Sequence, residues 1–353
     1  MSFDHLLTTA SAALAVLALS PSALADGRKP GSLLVFPEFD NRVGDVSMLT
    51  VTNTSTDMTH DPMTNLPSGS VRVHFIYVGR VDASGNPISC LEFDRQTLLS
   101  PGDTYTFLTR SHNPLQEQGF MYAYAKHPTS GEAIDFDYLI GNALFLSGVN
   151  SIDYSMNPIS LQGLPGHGIA TDSDNDGNRD LDGSEYEMLP DEILIPRFLA
   201  TRGSGGEGGP ILRGELILLG LSGGSRFDTI ADFLIYNDNE EVFSAQWQFR
   251  CWERVPLDTI SGVFLQSFLV TTDQAANEPL GATGRESGWI HINGGVAYST
   301  TDQILDPAVY AVLVDRPARV AGASDLPFEC GTQDNGSLWP NVPYGDNLSG
   351  DNR

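Results

Sequence analysis

Lysine is almost missing from this chain of 353 residues: Lys29 and Lys126 are the only two among 19 basic side chains, against 45 acidic ones and a net charge of −26. Such a surface repels phosphate backbones and anionic lipid, so nucleic acid and anionic membranes are poor partners. Cysteine is scarce as well. Cys90, Cys251 and Cys330 allow one disulfide and leave a thiol over. The preferred pair is Cys251 with Cys330, which would tie the C-terminal tail to the second core, although sequence alone leaves all three pairings open. Beyond the N-terminus no apolar run approaches the length of a membrane span, and no membrane insertion is expected. H-E-x-x-H, H-x-H, G-x-S-x-G and C-x-x-C are all absent, and the glycine runs at 203–209 and 281–284 lack the Lys-Ser/Thr of a phosphate loop. Zinc-protease, α/β-hydrolase, thiol-redox and nucleotide-binding readings therefore have no support.

What is present begins with an apolar run at residues 12–19, then Pro21 and the triplet Ala23-Leu24-Ala25 before Asp26. A run this short with an A-x-A ending predicts a secretory signal over residues 1–25 rather than an anchor. Its leading segment carries Asp4 and His5 but no Lys or Arg, and no cysteine follows the cleavage site to take a lipid. The mature chain is expected to be soluble and exported, to the periplasm, the medium or the cell surface.

Helical periodicity is scarce, whereas short runs rich in Val, Ile, Phe, Tyr and Thr recur between clusters of Gly, Pro, Asn and Asp. That is the pattern of an all-β chain. Two runs match at long range: residues 31–36 (GSLLVF) and 214–219 (GELILL) are followed, at nearly the same offset, by residues 46–53 and 230–237, which end in Asn53 and Asn237. Val71, Val73, Phe75 and Tyr77 then alternate as one core face, as do Phe243, Ala245, Trp247 and Phe249. Cys90-Leu91-Glu92 returns as Cys251-Trp252-Glu253, and residues 119–122 (GFMY) as 288–291 (GWIH). The expectation is two tandem β-sandwich domains from an internal duplication, at 26–149 and 214–322. Between them lies a loop-rich insert, 150–213, with a Gly-rich linker, and a polar tail follows at 323–353. A single larger sandwich assembled from both halves would show the same repeat.

In the first copy, the order strand, Asn53-Thr54-Ser55, strand, then residues 99–104 (LSPGDT) before 105–108 (YTFL) resembles that of bacterial immunoglobulin-like and fibronectin-like domains, over about residues 31–110. The resemblance implies a scaffold or binding role and carries no active residues.

The most specific feature lies in the insert, where residues 171–186 read TDSDNDGNRDLDGSEY. Asp172, Asp174 and Asp176 take the first, third and fifth places of a loop that wraps a hard cation. Gly177 stands at the sharp turn, Asn178 offers a backbone carbonyl at the seventh place, and Asp180 falls on the ninth. The pattern resembles thrombospondin type 3 and EF-hand-like calcium loops, which implies Ca2+ as the ligand. The twelfth place is Gly183 instead of a bidentate glutamate, and residues 164–168 (LPGHG) precede the loop instead of a helix. A structural site over residues 172–185, closed by Asp182 or Glu185, is expected rather than a sensor. A solvated acidic linker is the alternative. Against it, five aspartates between 172 and 182 repel one another unless a cation joins them.

Catalysis has weaker support. Glu132, Asp135 and Asp137, near Arg110 and His112, could set acid and base on one strand face. An edge strand charged on its solvent side accounts for them better, and His74 reads as another outward polar residue. Among Trp247, Trp252, Trp289 and Trp339, Trp247 falls on the core phase of its strand and Trp252 on the outer phase, where a ring could stack on sugar. The sequence thus points to a secreted, non-catalytic, calcium-binding protein of the cell surface or matrix, structural or adhesive, with an extracellular protein or polysaccharide as partner. The alternative is a secreted carbohydrate-active protein, either a binding module or a β-sandwich glycoside hydrolase.

Overall fold

Antiparallel β-sheet makes up nearly all of the structure, as short apolar runs bounded by turn residues require. The computed structural model describes residues 29–147, 152–202, 212–272, 286–317, 322–324, 328–330 and 332–338. The predicted signal at 1–25, the glycine runs at 203–209 and 281–284, and the tail from Trp339 onward lie outside the described residues.

The first half contains β1 (Leu33–Asp40), β2 (Asp45–Asn53), the short hairpin β3 (His60–Asp61) and β4 (Leu66–Pro67), β5 (Val71–Asp82), β6 (Pro87–Leu99), β7 (Thr104–Leu108), β8 (Gln116–Lys126), β9 (Leu139–Ser147), β10 (Ile152–Met156) and β11 (Ile159–Leu161). Two sheets form, in the orders β11-β1-β8-β5-β6 and β10-β9-β2-β7. They face each other through rings: Phe75 on β5 meets Phe107 on β7 edge-on at 5.3 Å. Val71, Val73, Phe75 and Tyr77 are fully buried, so the period-2 pattern located this face.

Strand β12 (Arg179–Leu181) stands apart from both sheets. The second half contains β13 (Glu192–Leu199), β14 (Leu212–Gly220), β15 (Asp228–Asn237), β16 (Val242–Phe249), β17 (Trp252–Pro256), β18 (Ser287–Tyr298), β19 (Gln303–Leu305), β20 (Val309–Pro317), β21 (Gly322–Ser324), β22 (Phe328–Cys330) and β23 (Gly336–Leu338). One sheet runs β16-β15-β18-β13-β22, with β19 on β18, and the other β17-β14-β20-β21, while β23 pairs with β12.

The runs at 33–36 and 216–219 lack alternation because both faces of their strands are covered: every residue of β1 is buried, and Leu216 to Leu219 are 0% exposed. The covering surface is the other half. Trp252 on β17 is buried and donates its indole N–H to the Pro37 carbonyl at 2.8 Å. Beside it Arg254 pairs with Glu38 of β1 and, at 2.8 Å, with Glu215 of β14. Tyr154 Oη donates to Glu38 at 2.6 Å. The halves share one continuous core.

Three expectations change. The disulfide joins Cys90 to Cys251, with Cα atoms 6.3 Å apart, instead of Cys251 to Cys330. Back-to-back packing of the halves brings these two cysteines together. Trp252 is sealed in the seam rather than exposed, because the strand of Trp247 ends at Phe249, the chain turns at left-handed Cys251, and Trp252 opens β17 in the other sheet, against β1. The later repeat matches join strands with different partners: β5 pairs with β6 and β8, whereas β16 pairs with β15. The first two matches hold similar places, β1 and β14 in the seam-facing sheets and β2 and β15 in the outer ones, and the Cys90 and Cys251 match leads into edge strands of the seam-facing sheets, β6 and β17. Residues 150–213 also supply strands to both halves, β10 and β11 to the first and β13 and the start of β14 to the second.

Candidate metal centre

Gly177 adopts φ 86°, which allows the turn between the aspartates, and Asn175 and Gly183 are left-handed as well, at 62° and 85°. The coil gathers the carboxylates. Oxygens of Asp172, Asp174 and Asp176 lie within 4.8 Å of one another, and so do those of Asp174, Asp180 and Glu185. A calcium ion with ligands at about 2.4 Å keeps the oxygens of one shell within roughly 5 Å of each other, so either group has the right span. Asp174 belongs to both.

The other side chains of the loop are held by bonds within it and, at Asp180, by Ser337. Glu185 is 2% exposed, and its two oxygens accept N–H bonds from Ser173 at 2.7 Å and Asp180 at 3.2 Å, which ties the two ends of the loop together. Asp180 accepts the Ser337 hydroxyl at 2.8 Å. Asn178 directs both its backbone N–H and its side-chain amide to Asp176. Asp182 stands outside both groups, engaged by the Ser184 N–H and hydroxyl at 2.8 Å. Asp172 Oδ2 accepts from Arg179 at 3.0 Å, while its Oδ1 is buried with no hydrogen-bond partner. A buried carboxylate oxygen without a donor is costly, and a cation would relieve it.

Burial raises the Asp180 carboxyl above its ordinary range, against the Ser337 hydroxyl, and the nearby Asp176, Asp182 and Asp174 charges add to the rise. Burial also raises Glu185. Burial would raise Asp182 too, but the Ser184 bonds outweigh it and leave it lowered.

The loop sits between the halves. On one side Thr171 N–H donates to the Ala133 carbonyl, and the Arg179 guanidinium lies 5.2 Å from the Tyr124 ring of β8. On the other, β12 pairs with β23 from Arg179 opposite Leu338 to Leu181 opposite Gly336, and Ser337 N–H donates to Leu221 of the second half. Ser337, 157 residues from Asp180, left no signal in the sequence that could have found it.

Of the other candidate acids, Asp135 and Asp137 meet at one hydroxyl in a turn. Residues 135–138 form no strand. Asp135 and Asp137 both accept the Ser32 hydroxyl, at 3.4 and 2.7 Å, and take backbone N–H bonds from Gly166 and Gly163. Burial raises Asp137. Glu132 is exposed and bonds Ser130. His112 lies in the core, its Nδ1 2.7 Å from Tyr77 Oη, where desolvation lowers its pKa to about 3 and keeps the ring neutral. His74 Nδ1 meets Tyr124 Oη at 2.9 Å. Trp247 is half-buried with its indole N–H on Glu253, and Trp289 is 36% exposed and stacked on Tyr236 at 3.9 Å. Among the described residues no helix is long and apolar enough to cross a membrane. No protein-family model and no curated protein matches the chain.

Proposed function

We propose that residues 172–185 bind Ca2+ in a structural site, and that the protein is a secreted, non-catalytic scaffold of the cell surface or matrix that presents itself to an extracellular protein or polysaccharide. The observation that carries the metal is the unpartnered, buried Asp172 Oδ1 at the rim of two overlapping carboxylate groups. Asp172, Asp174, Asp176, Asp180 and Glu185 would supply carboxylate oxygens, and Asn178 its carbonyl. Asp182 would serve the turn. The ion would neutralise repulsion in a loop that touches both halves and so would stiffen their junction. The calcium concentration outside a cell is high enough to fill even a weak site of this kind.

The two halves are further proposed to derive from one immunoglobulin-like sandwich. The placement of β1 with β14 and β2 with β15 supports this, as do the left-handed conformations of both Cys90 and Cys251, φ 53° and 48°. Thermal melting with and without millimolar calcium tests the metal reading. A rise in Tm that disappears in Asp172→Ala or Asp176→Ala supports it, and an unchanged melt in the unmutated protein removes it.

A further inference from the structure

A cleft of about 210 Å3 opens in the first half between the β3–β4 hairpin, the turn after β8 and residues 167–168, away from the metal loop's carboxylates. Its walls differ in chemistry. Half-buried Pro67 and Pro128 give it apolar surface, to which Ile134 and Phe136, 5% and 2% exposed, add a little, while Asp61, His127 and His167 line it with polar groups.

The polar groups are fixed and retain capacity. Asp61 accepts the Met63 N–H and the Thr64 hydroxyl, each at 2.9 Å, and these bonds hold its carboxyl below the ordinary range, so it is ionised. A carboxylate has about four acceptor sites, and two are used. His127 Nδ1 accepts the N–H groups of Thr129 and Ser130 at 3.3 and 3.1 Å, which places the proton of the neutral ring on Nε2 as a donor. The His167 ring is held near Phe136, at 5.7 Å, and edge-on to Tyr138 at 5.6 Å. The wall itself is rigid, because Asp135 pins the 166–169 turn: its carboxylate accepts from Gly166 at 2.7 Å and its carbonyl from Gly168 at 2.7 Å.

These constraints narrow the ligand. The three-carboxylate groupings that suit a cation lie, among the described residues, in the 172–185 loop and not here. An anion would face ionised Asp61 in a chain of net charge −26. A neutral ligand with several hydroxyls and one apolar face meets both walls at once, as the C–H face and hydroxyl rim of a pyranose do. We propose that this cleft binds a single pyranose residue of a neutral glycan. The proposal does not rest on the metal site, and it gives the polysaccharide partner a location that involves none of the tryptophans.

The test is a chemical-shift titration of the mature protein, in calcium-containing buffer, with glucose, galactose, mannose and N-acetylglucosamine, and with glucuronic acid and inorganic phosphate as charged counterparts. A neutral sugar should bind at millimolar concentration and shift resonances of residues 61–70, 127–136 and 166–168. Loss of one hydrogen bond in Asp61→Asn or His167→Phe should weaken it by about fivefold to tenfold. Both changes are small: the side-chain amide introduced by Asp61→Asn keeps an acceptor oxygen for the Met63 N–H, and melting curves establish that each variant folds. No shift with any neutral sugar at tens of millimolar overturns the proposal. So does binding that both variants retain unchanged, or a site that takes only glucuronate or phosphate.

Discussion

At the seam between the halves, Glu38 and Glu215 share the guanidinium of Arg254, and Tyr154 donates to Glu38 as well. In the acidic loop, six carboxylates between residues 172 and 185 share one arginine, Arg179, whose Nη2 bonds only Asp172 among them. The seam takes its carboxylates out of water, whereas the loop buries Glu185 and leaves Asp174 and Asp176 exposed. The seam carries its own countercharge, encoded far away in sequence, whereas the loop holds more carboxylates than cationic groups. On the proposed calcium reading the halves are joined in two ways, one built into the chain and one conditional on its surroundings.

Removing the internal countercharge should have the largest effect. Arg254→Ala leaves Glu38, 0% exposed, without its cation, and breaking a buried pair from one side costs about 3–5 kcal/mol. Urea denaturation should show that loss equally with calcium and with chelator. A loss confined to calcium-free buffer would mean that seam and loop are one system, and the contrast would fail.

Next in size is the covalent link. The double variant Cys90→Ser/Cys251→Ser should lose about 2–5 kcal/mol, because the bridge closes a long segment and joins the two halves. Peptide mapping without reductant should recover Cys90 bound to Cys251. Recovery of a Cys251–Cys330 peptide instead would contradict the seam as described.

Calcium comes third, since a ligand at a hundredfold its Kd adds about 2.7 kcal/mol. The sharper comparison lies within the loop. Glu185→Gln should abolish most of the calcium-induced rise in Tm, because Glu185 sits in a carboxylate group and bridges the loop ends. Asp182→Asn should preserve that rise while lowering Tm slightly in both buffers, because its carboxylate serves Ser184. The reverse order would assign closure of the site to the wrong residue.

How much of this was legible in the sequence depends on range. The alternation Val71, Val73, Phe75, Tyr77 marked a buried face, and the spacing around Gly177 marked a coil that gathers aspartates, because both are local geometry. The carboxylates at 135 and 137 were misplaced because two acids two residues apart read as one strand face, whereas turn bonds from Ser32 and Gly163 direct the chain otherwise. Trp252 and the cysteine pairing were missed for a shared reason: after Phe249 the chain turns at Cys251 into the other sheet, and strand phase does not carry across such a change. The partnership of Glu38 with Arg254, 216 residues apart, has no pattern to announce it.

The smallest effect is the pH response, and it separates the bound loop from the free one. Asp180 and Glu185 have raised carboxyls in the folded chain without metal. The folded state then binds more protons than the unfolded state, so the stability they contribute is present below the unfolded value and is lost as pH rises through the folded one. Asp182, lowered by Ser184, works in the opposite sense and loses its contribution as pH falls. Because Asp182 lies outside both carboxylate groups, its contribution cancels in the difference between melts with and without calcium. That difference should shrink as pH falls through the raised values of Asp180 and Glu185, since the ion binds the deprotonated forms and must displace their protons. Melting curves with calcium and with chelator across the acidic range would measure it, and a difference that stays constant while the carboxyls titrate would place the ion elsewhere.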